Sequence, residues 1–222
     1  MCGRIATSFE WRDVEDEFDP DKILAEFSPR YNVAPSQDIP VIVAGSTAFD
    51  MYKWGLVPHW ARDASSAMIN ARVESAFEKP FFRDAFTNFR CLVLVSGFFE
   101  WDKGKIPHYI GLKGKKLFAL AGIANIYKSK DKPDESIKTV CILTQDANSF
   151  MKPIHHRMPI IIEKENYWNW IDPNNKNIEY LMDLLSPVES KKMIEYAVSK
   201  AVNSPKNDNS EILKKATKQS TL

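Results

Sequence analysis

The sequence predicts an α+β fold in which a mixed, mostly antiparallel sheet curls into a barrel-like core with helices at its periphery. Short apolar segments alternate with turn residues along most of the 222-residue chain, a pattern typical of consecutive hairpins. Helical patterns are confined to one segment near the start and two near the end. Because no repeat or linker interrupts this pattern, we expect one domain over residues 1–213, followed by a polar, flexible tail over 214–222.

The first third of the chain predicts a helix, an extended loop and a hairpin. Residues 8–18 predict a short helix with Ser8 as its N-cap. The segment FSPRYNVAPSQDIP that follows contains three prolines, which favour an extended loop. Strands over 39–44 and 49–54 are joined by turn residues and predict a hairpin. Residues 54–80 predict a mostly irregular segment with helical turns.

The remainder of the chain predicts strands followed by late helices. The continuous apolar run over 90–101 is typical of one strand buried on both faces. The apolar segments within 107–127 flank the turn residues KGKK and predict a second hairpin. Further elements are predicted as strands over 136–145 and 159–163, helices over 164–171 and 177–185, and a closing strand over 194–202.

Composition and cysteine usage limit the classes of function. The formal net charge is +1, so no global field attracts nucleic acid or membranes, and any polyanion site must be a local patch. No apolar run reaches the length of a membrane span, and no signal peptide is evident. Cys91 and Cys141 lie in apolar segments, as buried strand thiols do. We therefore expect a cytoplasmic protein without a metal site, a small-molecule cofactor or membrane contact.

The third cysteine, Cys2, directly follows the initiator methionine. Removal of Met1 would give it a free amine and a thiol on adjacent carbons. The α-amine has a pKa of about 7.7–8.0 and a cysteine thiol one of about 8.5, so both are partly nucleophilic near neutral pH. Such an aminothiol reacts with an aldehyde to form first an imine and then a thiazolidine ring. A terminal cysteine can equally act as an acyl-transfer nucleophile, with its own amine as the base.

Two further stretches carry groups suited to proton transfer. In HHRMP (155–159), two histidines and an arginine precede an apolar strand, and they form either a proton shuttle with a phosphate-binding group or a solvated turn. In GFFEW (97–101), Glu100 ends an apolar run. A carboxylate there is either a paired strand-end charge or a group with a raised pKa suited to acid–base catalysis.

Two other stretches favour binding. In NARVES (70–75), Asn70 and Arg72 would face the same side of an extended segment, where an amide and a guanidinium suit a carbonyl or phosphate oxygen. In WGLVPHW (54–60), Trp54 and Trp60 flank a Gly/Pro turn. Tryptophans on loops can stack on bases, although such residues also belong to cores.

The chain resembles the SOS response-associated peptidase family, whose members are also described as abasic-site processing proteins. The resemblance rests on six motifs that follow one another in a fixed order: MCGR, RYNVAP, WGLVPHW, NARVES, RCLVLVSGFFEW and IHHRMP. The segment VSKAVNSPKNDNSEIL is similar to that family's closing segment, so the resemblance covers nearly the whole chain. Each motif alone is weakly specific, but their combination is highly specific.

The resemblance implies a cysteine-dependent enzyme that loses Met1, either by self-cleavage or through an aminopeptidase. It then links Cys2 to the open-chain aldehyde of an abasic site in single-stranded DNA. The link shields the lesion from strand cleavage, and a lyase activity belongs to the same expectation. The implied partner is single-stranded DNA containing abasic sites. A monomer is expected, with nucleoid association in a bacterium.

The resemblance also implies roles for individual residues. Cys2 matches the nucleophile and Glu100 the catalytic glutamate that protonates the sugar oxygen. His155 matches the histidine implicated in processing and reversal, and Asn70 the asparagine that positions the terminus and the sugar. Residues implied to bind DNA are the phosphate-gripping arginines Arg4, Arg72 and Arg157, and the stacking or wedging residues Pro35, Trp54, Trp60 and Trp101.

Two alternatives remain open from the sequence. A thiol peptidase acting on other proteins would use the same terminal thiol with His155 as its base. A non-catalytic single-strand binding module would use the tryptophans and arginines, but it leaves the position of Cys2 unexplained.

Overall fold

A computed structural model describes residues 2–45, 47–128 and 135–216. Two sheets organise this part of the chain. The strands are β1 (Ile5–Thr7), β2 (Lys22–Ile23), β3 (Arg30–Val33), β4 (Asp38–Val43), β5 (Ala48–Trp54), β6 (Asn70–Arg72), β7 (Arg90–Val95), β8 (Gly97–Trp101), β9 (Pro107–Leu112), β10 (Phe118–Lys128), β11 (Ser136–Asp146), β12 (Arg157–Pro159), β13 (Ile161–Ile162) and β14 (Met193–Ala197). The helices are α1 (Trp11–Phe18), α2 (Val73–Ala76), α3 (Arg83–Asn88), α4 (Tyr167–Ile171) and α5 (Ile178–Asp183).

The larger sheet closes on itself, which confirms the predicted barrel-like core. Its strands run in the order β11-β10-β7-β4-β5, and β5 then pairs with β11 in parallel. The other pairings around this ring are antiparallel. Strand β6 adds to β11 in parallel, with Asn70 opposite Ile142. Residues 70–72, within the segment predicted to be mostly irregular, thus form a strand attached directly to the barrel. Closure leaves few unpaired edges, a common solution in antiparallel folds.

The second sheet carries the amino terminus. Its order is β14-β9-β8-β1-β3, so β1 lies between β8 and β3. Side chains of the barrel strands divide between two apolar clusters, one shared with the helices and one shared with this second sheet. Cys91 and Cys141 are both fully buried, as predicted for strand thiols. The helices lie outside the sheets, which confirms their predicted peripheral position.

The apolar run over 90–101 is two strands rather than one, so that prediction is wrong. Strand β7 belongs to the barrel and β8 to the second sheet, and the chain changes sheets at Ser96. The Ser96 hydroxyl lies 2.8 Å from that of Ser8 and also accepts the Ser8 N–H. Ser8 is therefore engaged across the sheets and does not cap α1. Glu10 takes that place in a capping box with Asp13.

The predicted hairpin over 107–127 is also wrong. Strand β9 pairs with β8 and β14, whereas β10 pairs with β7, β11 and β13. The KGKK turn connects the two sheets instead of closing one hairpin. The hairpin over 39–54 is confirmed by the antiparallel pairing of β4 with β5.

Hydrogen bonds from the buried Asn32 and to the half-buried Asp208 hold the closing segment on β3. The Asn32 side chain donates to the carbonyls of Val202, Ser204 and Asn207. The Asp208 carboxylate accepts the backbone N–H of Asn32 and the Arg30 guanidinium. The closing segment thus packs on the sheet that carries the amino terminus.

The described residues continue past the predicted domain boundary at residue 213. Lys215 forms a bridge with Val198, and the Ala216 N–H donates to the Ala197 carbonyl. The rest of the predicted tail, residues 217–222, lies outside the described residues. Across the described ranges, no helix is both long enough and apolar enough to cross a bilayer.

The start of β8 is packed too tightly to accept a side chain. A Cβ added at Gly97 would lie 2.5 Å from the Tyr109 hydroxyl oxygen, and that hydroxyl is fixed by its bond to the Ser96 carbonyl. We expect Gly97→Ala to lower the free energy of unfolding by about 1–3 kcal/mol, measured by urea denaturation. Gly104→Ala, in an exposed turn, is the matched control; an equal loss in both variants would contradict this explanation.

Candidate active site at the amino terminus

The register between β1 and β8 brings Cys2 to Glu100. Ile5 lies opposite Phe98, and the Phe99 N–H donates to the Arg4 carbonyl at 2.9 Å. Because the strands are antiparallel, each step toward the amino terminus on β1 moves one step toward Trp101 on β8. Continued past the strand end, this register puts Gly3 opposite Glu100 and Cys2 one residue further on. The Glu100 carboxylate is close enough to Cys2 to raise the pKa of its thiol.

Asn70 fixes the other side of Cys2. Its side-chain amide donates to the Cys2 carbonyl at 2.8 Å. The Asn70 Oδ1 atom is buried, and no donor within the described residues reaches it. A buried acceptor without a donor is costly, so this oxygen is available to a group that enters the site. The sequence-predicted trio of Cys2, Asn70 and Glu100 is thus brought together.

Burial sets the protonation of Glu100. The side chain lies at the end of an apolar strand and its residue is only 3% exposed. Removal from water raises its pKa to about 6, while the nearby His156 favours the charged form. A carboxyl with this pKa exchanges protons readily near neutral pH, as acid–base catalysis requires.

The Cys2 thiol is neutral in this environment. The residue is 0% exposed, and burial together with the Glu100 charge raises the pKa of the thiol well above its usual range. A neutral thiol is a poor nucleophile until a neighbouring group takes its proton.

His155 presents one ring nitrogen to the backbone. Its Nδ1 accepts the Arg157 N–H at 3.0 Å and lies equally 3.0 Å from the Arg157 carbonyl oxygen. The neutral ring accepts through Nδ1, whereas the protonated ring donates from Nδ1 to the carbonyl. The ring stacks on His156 with centroids 4.4 Å apart, and partial burial lowers its pKa. The backbone N–H and carbonyl of one residue, Arg157, can therefore serve both protonation states of His155.

Arg157 requires a correction, because the structure does not offer it to a phosphate. Its guanidinium makes a bidentate pair with Glu74 at 2.6 and 2.9 Å and also donates to Asp146 and to the Thr144 carbonyl. The residue is buried. It joins β12 to β11 and α2, and so fixes the backbone that holds His155.

Arg4 is likewise engaged by protein groups. Its guanidinium donates to Asn32 Oδ1 at 2.6 Å and to the carbonyls of Val202 and Asn203, and it lies over the Trp101 ring. The Trp101 indole donates to Asn203 Oδ1 at 2.8 Å. Arg4 and Trp101 thus dock the amino-terminal strand against the closing segment, although both retain some exposure.

The remaining predicted DNA-binding residues fall into two groups. Trp54 is fully buried and donates to the Ile69 carbonyl, so it is a core residue and the prediction that it stacks on a base is wrong. Trp60 is 53% exposed and packs edge-on against Phe81. Arg72 is exposed on β6, two residues from Asn70, as predicted. Pro35 is half-buried in the turn between β3 and β4.

Sequence reasoning missed two structural residues and one electrostatic neighbour. Asn32 and Asp208 fasten the closing segment, and His156 lies close enough to Glu100 to influence its charge. Asn32 is part of RYNVAP and Asp208 is part of the closing segment, so both lay in quoted motifs. Their structural role becomes visible only in the folded protein, where hydrogen bonds join two segments that are far apart in the sequence.

These features define a class of protein. The profile of the SOS response associated peptidase (SRAP) family matches residues 1–205, and the chain belongs to this family.

Named relatives cover the chain almost completely. Abasic site processing protein YoqW of Bacillus subtilis is 40% identical over 96% of this chain and 99% of its own length. Abasic site processing protein HMCES of Gallus gallus is 28% identical over 96% of this chain and 77% of its own. The crystal structure of a protein from Bacteroides thetaiotaomicron superimposes with a TM-score of 0.87 at 29% identity, covering 97% of this chain and all of that one.

The contrast between Arg157 and Arg72 can be measured. We expect Arg157→Gln to lower the free energy of unfolding by about 2 kcal/mol, because it breaks buried charge-assisted hydrogen bonds. Arg72→Gln, on the exposed neighbouring strand, should change it by less than about 0.5 kcal/mol. Thermal and urea denaturation of the two variants test this, and equal stability of both would contradict the structural part assigned to Arg157.

Proposed function

We propose that this protein processes abasic sites in single-stranded DNA by linking Cys2 covalently to the open-chain aldehyde of the lesion, after removal of Met1. The observation that carries the proposal is the convergence of Cys2, Asn70 and Glu100 in one buried site. The names of the relatives support the substrate class.

The chemistry proceeds in three steps. Protonated Glu100 gives its proton to the sugar ring oxygen, and the bond between this oxygen and the anomeric carbon breaks. The anomeric hydroxyl releases its proton to solvent, which leaves the open-chain aldehyde. The free amine of Cys2 then adds to the aldehyde carbon, and loss of water gives an imine. Finally the thiol sulfur adds to the imine carbon while its proton passes to the nitrogen, and this closes the thiazolidine. No oxidant or metal is needed at any step.

The neighbouring groups suit these steps. The Asn70 amide holds the Cys2 carbonyl, and its buried oxygen is placed to accept an N–H or O–H during the reaction. His155 can exchange a proton while its Nδ1 stays bound to the Arg157 peptide, which fits the processing and reversal that we assign to it. The raised pKa of the thiol favours an order in which the amine reacts first.

The proposed DNA contacts are fewer than the sequence suggested. Arg72 is the exposed arginine beside Asn70, and Trp60 and Pro35 offer partly exposed rings for stacking or wedging. Arg4 and Trp101 contribute indirectly by fixing the strand that carries Cys2. A local basic and aromatic surface of this kind needs no large net charge.

The covalent link is tested with an oligonucleotide bearing one abasic site. We expect a denaturation-resistant adduct, with a mass that places the modification on Cys2 and shows Met1 absent. Cys2→Ala should form none, and a form with one uncleavable residue before Cys2 should form none either, because its amine is blocked while its thiol remains. Cys141→Ala is the matched control. A stable adduct from either Cys2 variant would refute the proposal; thiol-dependent cleavage of peptides in trans would favour a peptidase instead.

The pH dependence of adduct formation tests whether the protonated form of Glu100 takes part in the reaction. The acid form of this carboxyl is present below about pH 6, and the free amine appears above about 8. If both forms are required, the rate rises to about pH 6, stays level to about 8 and then falls. In Glu100→Gln we expect a slower rate that keeps rising to about pH 8 and then levels. An unchanged profile in this variant would rule out Glu100 as the acid.

A further inference from the structure

The loop that carries Trp60 is held from behind by the ends of β10 and β11. We define this Trp60 loop as residues 55–69, the segment between β5 and β6. It contains one of the most exposed large apolar side chains of the described chain, and it leads directly into Asn70. Its own regular structure consists of a short 3-10 helix over Ala64–Ser66 and an antiparallel bridge between Leu56 and Met68 near its two ends. Its position therefore depends on contacts with other elements.

The first attachment point is Val57. The buried side chain of Asn125, on β10, donates to the Val57 carbonyl at 3.1 Å. The Val57 N–H donates to the Thr139 hydroxyl at 3.2 Å, and this hydroxyl in turn donates to the Asn125 carbonyl at 3.2 Å. Two side chains from neighbouring strands thus satisfy both backbone polar groups of a single loop residue.

The second attachment point lies beyond Trp60. The Tyr127 hydroxyl donates to the Arg62 carbonyl at 3.0 Å, and the Tyr127 ring packs with Val57, Ala61 and Ile137 in a small separate apolar cluster. Trp60 therefore lies between two points at which the loop is bound. Tyr127 is itself buried, so its hydroxyl cannot readily exchange this bond for one with water.

Farther along the Trp60 loop, the packing against β11 is incomplete. A cavity of about 220 Å³ lies between Ala64 and Ala67 of the loop and Ile137 and Thr139 of β11. The hydrogen bonds at Val57 and Arg62 thus flank the exposed tryptophan, whose ring also contacts Phe81.

We propose that Asn125, Tyr127 and Thr139 are positioning residues of the DNA-binding surface, which act by holding the Trp60 loop in the geometry that stacks on a base. The inference rests on the proposed function, because it assumes that Trp60 contacts single-stranded DNA. None of the three touches the reacting groups, and their effect falls on DNA affinity rather than on the chemistry at Cys2.

A double-mutant cycle tests the proposal. The probe is a fluorescent single-stranded oligonucleotide with a tetrahydrofuran abasic analogue, which has no aldehyde and so reports non-covalent affinity by anisotropy. We expect Tyr127→Phe and Thr139→Val each to weaken binding about three- to tenfold, the loss typical of one net hydrogen bond. In a Trp60→Ala background the same changes should have little further effect, because residues that act through one another are not additive.

Matched controls separate positioning from general destabilisation. Thr139→Ser keeps the hydroxyl and should restore affinity, and Tyr109→Phe removes a buried tyrosine hydroxyl from a different cluster and should leave affinity close to wild type. With an aldehyde-bearing oligonucleotide, the Tyr127→Phe effect should fall on the half-saturating DNA concentration rather than on the maximal adduct rate.

Unchanged affinity in Tyr127→Phe, or a full effect that persists without Trp60, would overturn the inference. Failure of the wild-type protein to form an adduct would instead count against the proposed function. The two failures are therefore distinguishable, because one is measured on the analogue and the other on the reactive site.

Discussion

The pairing of β1 with β8 is the interaction on which the rest of the site depends. The register rests on Ile5 opposite Phe98, Ala6 opposite Gly97 and one further bond from Phe99 to Arg4. A slip of one residue would turn every side chain of this strand to the opposite face. The short strand is therefore reinforced from outside, because Arg4 is bound by Asn32 and by the closing segment. The closing segment is held at Asn32, and through Arg4 it also holds the amino-terminal strand in place.

The same dry environment governs both ionisable groups of the site. Burial raises the pKa of Glu100 into the range where it can hold or release a proton near neutrality, and it raises that of the Cys2 thiol out of that range. Two anions side by side in such a buried site would repel each other, so the Glu100 charge helps to keep the Cys2 thiol protonated. In the proposed chemistry, the amine of Cys2 therefore reacts with the aldehyde before the thiol does. The thiol adds only when a neighbouring group accepts its proton. It also keeps the thiol of Cys2 away from solvent oxidants.

Features that depend on a local sequence pattern or on the order of motifs were predicted correctly. Predictions failed where a strand or side chain contacts a segment that is distant in the sequence. The barrel-like sheet, the β4–β5 hairpin and the convergence of Cys2, Asn70 and Glu100 agree with the structure. The hairpin over 107–127 was wrong because the strand that completes the second sheet, β14, comes much later in the chain. Trp54 and Arg157 were misassigned for the same reason: neither a tryptophan nor an arginine reveals from its own neighbours that it is buried against Ile69 or paired with Glu74. The sequence did not predict a positioning role for Asn125 and Tyr127. A polar side chain on a strand is usually assigned to the solvent-exposed face, and only the structure shows the loop that these two side chains bind.

The contact between Arg4 and the carbonyls of Val202 and Asn203 has a consequence for how the protein is made. These groups are separated by almost the whole chain, so they cannot meet while residues 202–208 are still inside the ribosome. The amino terminus leaves the ribosome first, yet its strand gains its last restraints only when synthesis is nearly finished. Contacts of such long sequence separation form late in folding. The amino-terminal strand of a nascent chain thus lacks these contacts, and the alignment of Cys2 with its neighbours is completed only in the finished protein.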